Sequence, residues 1–188
     1  MNSEQRASKP YATRPDIDGN HDSGRVVVLG LGNILLSDEG VGVHVVNAIK
    51  GQYAPSPRLE LIDGGTMGLD LLPLFQTMDR ILIIDAVDFG KAPGHVGIIQ
   101  GNDIPSVLNI KLSVHHIGLS DVLFATRLMR GALPDVCLIG IQPKSLDIGL
   151  DMTEEIQVKL NHIIGLVMQK LTEWNVECVL QSPHGSST

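Results

Sequence analysis

Two adjacent carboxylates at Asp38 and Glu39, a third at Asp85 and a histidine pair at His115-His116 are the side chains of this chain best suited to chemistry. Taken singly, each has a plain structural use. Acidic residues at the start of a helix favour its positive end, and a lone Asp caps a loop. Paired histidines on a surface need no ligand. Together they describe more: two carboxylates and an imidazole offer three donors to a divalent ion and leave positions open for water or a substrate. Spacing alone does not choose between His115 and His116. His44 and His95 have no comparable context and read as structural.

For these residues to meet, distant segments must reach one rim. Val26-Val27-Val28-Leu29 leads into Gly30-Leu31-Gly32-Asn33, and unbroken aliphatics before glycines suit a strand covered on both faces. Ile81-Leu82-Ile83-Ile84 repeats the layout and ends in Asp85. Open α/β sheets hold ligands outside the carboxyl ends of their strands, so Asp38, Glu39, Asp85 and the histidine pair in a later loop are all expected there.

The rest of the pattern supplies the layers. Val41, Val45, Ala48 and Ile49 predict a helix that ends near Gly51. Residues 59–62 read as a short strand and Asp63-Gly64-Gly65-Thr66 as a turn, with Thr66 capping a helix that carries Leu69, Leu72 and Phe75 and is limited or kinked by Pro73. His95 to Ile99 suggests a weaker strand at an edge. Leu119, Val122, Ala125 and Met129 predict a helix stopped by Gly131, and Val136 to Ile141 the last sheet strand. Leu150 to Trp174 reads as the longest helix, opened by an Asp151/Glu154 capping box.

Composition agrees with an α/β fold. Of 188 residues 43% are hydrophobic but only 3% aromatic, so the core must be Val, Ile, Leu and Met packed between layers. Residues 1–24 are polar and without apolar periodicity, and read as a disordered extension. Residues 25–181 then form a single domain, and 182–188 a flexible tail. The net charge of −7 weighs against nucleic acid or an anionic membrane as partner. No window approaches the roughly 18 apolar residues of a membrane span, and no export signal is legible, so a cytoplasmic protein is expected.

Several chemistries are disfavoured. Gly30-Leu31-Gly32 lacks the third glycine of a dinucleotide fingerprint, since Leu35 holds its place; a tight strand-to-helix turn accounts for the glycines. There is no Gly-x-Ser-x-Gly elbow and no His-Glu-x-x-His. Cys137 lies within an apolar run, and with Cys178 it lacks Cys-x-x-Cys spacing, so both read as small buried hydrophobes in a reducing compartment.

Across residues 26–177 the chain resembles the nickel-iron hydrogenase maturation endopeptidases. The resemblance is carried in order by the run from Leu29 to Gly40, by Asp63-Gly64-Gly65-Thr66, by Asp85-Ala86, by the run from Ser113 to Leu119 and by the run from Gly140 to Ser145. It implies a three-layer α/β sandwich whose mostly parallel, twisted five-stranded sheet lies between helices. Removal of a short C-terminal extension from the large-subunit precursor of a hydrogenase, after nickel insertion, is the implied activity. Glu39, Asp85 and His115 fall on its metal-contacting positions, with nickel carried by the precursor rather than held by the isolated peptidase. Asp38 is then expected behind the metal site, Gly64, Gly65 and Thr66 along the approach of the precursor's C-terminus, and Asn33 in one or the other of these places. A non-enzymatic nickel-delivery or docking protein with the same residues is the rival expectation. The segment 1–24 has no counterpart in a typical member, and His116 stands where an amide is frequent.

Overall fold

The computed structural model describes residues 24–104 and 116–181, with 102 and 116–118 described by backbone alone. His115, residues 1–23 and residues 182–188 therefore lie outside the described residues. Among the described residues, strands β1 (Val26–Leu31), β2 (Tyr53–Pro55), β3 (Leu59–Gly65), β4 (Arg80–Ala86), β5 (Val96–Gln100), β6 (Asp135–Ile141) and β7 (Cys178–Leu180) alternate with helices α1 (Val41–Gln52), α2 (Leu72–Thr77), α3 (His116–Arg130), α4 (Glu154–Gln157) and α5 (Leu160–Glu173). Five strands form the main sheet in the order β3-β1-β4-β6-β5, parallel except for the antiparallel edge strand β5.

β1 and β4 occupy the centre, which is why both read as continuous apolar runs. Successive side chains point to opposite faces, and both faces are covered. Val26, Val28, Leu82 and Ile84 meet α1 and α5, whereas Val27, Leu29, Ile81 and Ile83 meet α2 and α3. The α1 stripe forms as expected, with Val41, Val45 and Ile49 buried. On α3 the buried positions are Leu119, Val122, Leu123 and Thr126; Met129 is exposed, so the stripe is rotated from the one anticipated. Gly131, at φ 75°, ends this helix as expected.

Four expectations are corrected. Asp63-Gly64-Gly65 is the end of β3 rather than a turn, because Gly30 pairs with Asp63 and Leu31 with Gly65 across a bulge. Thr66 caps no helix; a single helical turn at Leu69–Leu71 leads into α2 without a side-chain cap. Pro73 sits in the first turn of α2, where its missing N–H costs no hydrogen bond, so it starts the helix instead of kinking it. The long C-terminal helix is broken between α4 and α5, and Thr153, not Asp151, precedes it in extended backbone. A two-stranded clip of β2 against β7 was not anticipated.

Candidate active site

The chain leaves β1 through α1 towards β3 on one side, and leaves β4 towards the far-edge strand β5 and then, through α3, β6 on the other. The switch point of the sheet thus lies between the carboxyl ends of β1 and β4, where an open α/β sheet forms its ligand crevice. Glu39 follows β1 in a helical turn, Ser37–Gly40, that packs on β4; Asp85 is the penultimate residue of β4. The two carboxylates therefore flank the switch point, both buried, at 5% and 2% exposure. Strand alternation puts Asp85 on the face covered by α3, whose described backbone begins at His116, so His116 belongs to the helix and not to the loop expected before it.

Close backbone approach makes this convergence possible. Gly32 adopts φ 118°, which turns the chain away from β1, and a side chain there would strike the Glu39 carbonyl. A side chain at Gly42 would strike the Ile84 carbonyl, so α1 can begin directly against β4 only because residue 42 is glycine. The glycines are thus filled by the protein's own backbone, in agreement with a strand-to-helix turn and not a nucleotide cradle.

Asp38 is taken up in a fastening between two loops. Its Oδ2 accepts from the Lys144 and Ser145 N–H groups at 2.9 and 3.0 Å and from the Thr153 hydroxyl at 2.9 Å, and its Oδ1 accepts from the Thr153 N–H at 2.7 Å. This buried carboxylate ties the loop between β6 and α4 to the turn that bears Glu39.

Asn33 builds the preceding turn, its Oδ1 accepting from the Leu35 N–H at 3.0 Å. Gly32 N–H donates to the Gly65 carbonyl at 2.8 Å, so Gly64 and Gly65 lie beside the end of β1; Gly64 is buried against Leu29 and Leu31, and Thr66 is exposed.

Gln142 was not singled out from the sequence. It is buried at the end of β6; its Oε1 accepts from the N–H groups of Phe89 at 2.7 Å and Lys91 at 3.2 Å, and its Nε2 donates to Asp88 at 3.1 Å. It therefore braces the segment that follows Asp85. An amide directly after an apolar strand and before Pro143 was the available signal.

The remaining candidates stay structural. His95 stands edge-on to Phe89 at 5.5 Å, and half-buried His44 lies within α1. Burial pushes the Cys137 thiol up to about 11 and raises that of Cys178, so neither is a ready nucleophile. Among the described residues no three His, Cys, Asp or Glu side chains cluster as a metal site. Glu39 and Asp85 alone supply hard oxygen donors, acceptable to a divalent ion that brings further ligands with it. Among the described residues no helix is long and apolar enough to cross a membrane.

Fold and rim together define an α/β protein with two buried carboxylates, Glu39 and Asp85, at the switch point of its sheet. The family model described as hydrogenase maturation protease matches residues 43–170. The hydrogenase 2 maturation protease of Escherichia coli K12 is 35% identical over 156 residues, covering 82% of this chain and 95% of that one. Among solved structures, the hydrogenase maturating endopeptidase HybD from E. coli superposes with a TM-score of 0.81 at 35% identity, covering 85% of this chain and 99% of the other. A [NiFe] hydrogenase maturation protease HycI from Thermococcus kodakarensis does so with 0.65 at 25% identity, covering 79% and 93%. The chain belongs to the hydrogenase maturation proteases, a family of endopeptidases.

Proposed function

We propose that this protein removes a short C-terminal extension from the nickel-loaded large-subunit precursor of a nickel-iron hydrogenase. The observation that carries the reading is the pair of buried carboxylates, Glu39 and Asp85, on either side of the switch point in a member of this family. Glu39, Asp85 and His115 would contact nickel that arrives as the precursor's cargo. A cation at that place polarises a neighbouring carbonyl and lowers the pKa of water. Hydrolysis adds water across one peptide bond, its oxygen going to the carbonyl carbon and a proton to the leaving nitrogen.

The chain's own residues position and select. Asp38 and Gln142 hold the segments that carry Glu39 and follow Asp85, while Gly64, Gly65 and Thr66 offer a low wall beside the end of β1 for the incoming C-terminus. Two or three protein donors leave most of a divalent ion's coordination unfilled, which supports weak metal binding by the isolated peptidase and a requirement for nickel already gripped by the precursor.

The experiment offers the purified protein two precursors, nickel-loaded and metal-free, without added nickel, and follows the mass of each C-terminus. Shortening of the loaded precursor alone is the expected result. Equal shortening of both overturns the nickel requirement. Binding without shortening indicates a delivery or docking protein.

A further inference from the structure

Beside Glu39 the rim carries aliphatic side chains that folding leaves in water: Ile34, Leu35, Leu146, Ile148 and Leu150, with Ile148 91% and Leu150 68% exposed. Single exposed aliphatics are ordinary, but a contiguous group marks an interaction surface. These are contiguous. Leu36 and Gly149 form a parallel bridge, the Gly149 N–H donates to the Leu35 carbonyl at 2.9 Å and the Ser37 N–H to the Gly149 carbonyl at 2.8 Å, which sets Leu35 opposite Ile148, with Leu150 one step further along, opposite Ser37.

The surface is also held in shape. Asp38 grips the loop at Lys144, Ser145 and Thr153, and the Ser37 hydroxyl donates to the Asp147 carbonyl at 3.0 Å. Charged groups of the loop are engaged locally: Asp147 accepts from the Ser145 hydroxyl at 2.9 Å and Lys144 pairs with Glu155 at 2.6 Å. The loop therefore presents Leu146, Ile148 and Leu150 outward beside the exposed charges of Lys144, Asp147 and Asp151, in a shape that is fixed before binding.

We infer that this rim docks an extended aliphatic stretch of the hydrogenase precursor adjacent to its scissile bond. The inference rests on the proposed function. Its occupant follows from continuity. Leu35 and Leu36 run directly into the turn that bears Glu39, and an extended chain advances only about 3.3 Å per residue. A peptide bond brought to Glu39 thus has its neighbouring residues over Leu35 and Ile148.

The test uses nickel-loaded precursor and measures both binding and release of the C-terminal extension for Ile148→Asp, Leu35→Asp, Ile148→Leu and, as a control on the remote β2–β7 clip, Val179→Asp. Withdrawing one buried aliphatic contact and placing a charge there should raise KM about tenfold or more in both rim variants, with kcat near the parent value. Ile148→Leu and Val179→Asp should keep the parent KM. The exposure of Ile148 predicts an unchanged melting temperature for Ile148→Asp, so misfolding is separately read.

A parent protein that cleaves while the rim variants keep its KM overturns the docking surface and leaves the proposed function standing. A fall in kcat at constant KM likewise overturns docking. So does self-association of the parent that Ile148→Asp abolishes without a change in KM, which would make the rim a contact between copies. A parent that binds precursor but does not shorten it removes the proposed activity, and the same tenfold loss in affinity still reads the surface. A parent that neither binds nor shortens it removes both.

Discussion

Replacing Asp38 by Asn keeps the shape of the side chain and removes one acceptor and the charge. The amide does best with its oxygen towards Lys144, Ser145 and the Thr153 hydroxyl, which leaves its own N–H group facing the Thr153 N–H, the donor of the shortest of the four bonds, 2.7 Å. One charge-assisted hydrogen bond is lost outright, worth about 1.5–3 kcal/mol, and the other three become neutral ones. The neutral amide is also relieved of a buried charge, so the net destabilisation should be about 2–4 kcal/mol. For a chain of this size that lowers the melting temperature by roughly 4–16 °C. Calorimetry at neutral pH measures it, and limited trypsin digestion adds a local readout, because a released loop exposes the bond after Lys144. A melting temperature within about 1 °C of the parent, with unchanged digestion, would refute the fastening role of Asp38.

Other perturbations separate packing from propensity and burial from reactivity. Gly42→Ala drives a methyl group into the Ile84 carbonyl and should destabilise the protein by about 2–3 kcal/mol, whereas Gly165→Ala, on an open face of α5, should stabilise it by about 0.5–1 kcal/mol; denaturant titration of both reads the contrast. Cys137 should resist alkylation until the protein unfolds, followed by mass spectrometry with and without denaturant. Because burial raises the folded thiol from 9.0 to about 11, the folded state holds its proton longer than the unfolded one. The corresponding stability is complete below the unfolded value and is lost as pH rises towards 11.

The central sheet was legible because β1, β4 and the interior of β6 are buried on both faces and cannot hide their apolar runs. The rim could be read for the same reason, since Glu39 and Asp85 are tied by short connections to those runs. Where local signals conflicted with tertiary context, tertiary context prevailed. Asp63-Gly64-Gly65 has turn composition, yet pairing with β1 extends it as strand. Asp151 and Glu154 have the spacing of a capping box, yet the bonds from Thr153 to Asp38, 115 positions away, decide where that helix begins. β2 and β7 are three residues each, too short to show a period, and are defined only by each other. Gln142 was overlooked because its partners come from a different loop. His115 lies outside the described residues, so the choice between it and His116 rests on the family resemblance.

The most direct measurement compares the parent protein with Glu39→Gln, Asp85→Asn, His115→Ala and His116→Ala on nickel-loaded precursor, following the mass of the precursor's C-terminus beside a melting curve for each variant. Glu39→Gln, Asp85→Asn and His115→Ala should stop or severely slow removal of the extension while each still unfolds cooperatively, and His116→Ala should process normally. Normal processing by the Glu39 and Asp85 variants would contradict the account of the crevice, and a silent His115→Ala beside an inactive His116→Ala would move the imidazole to the neighbouring residue.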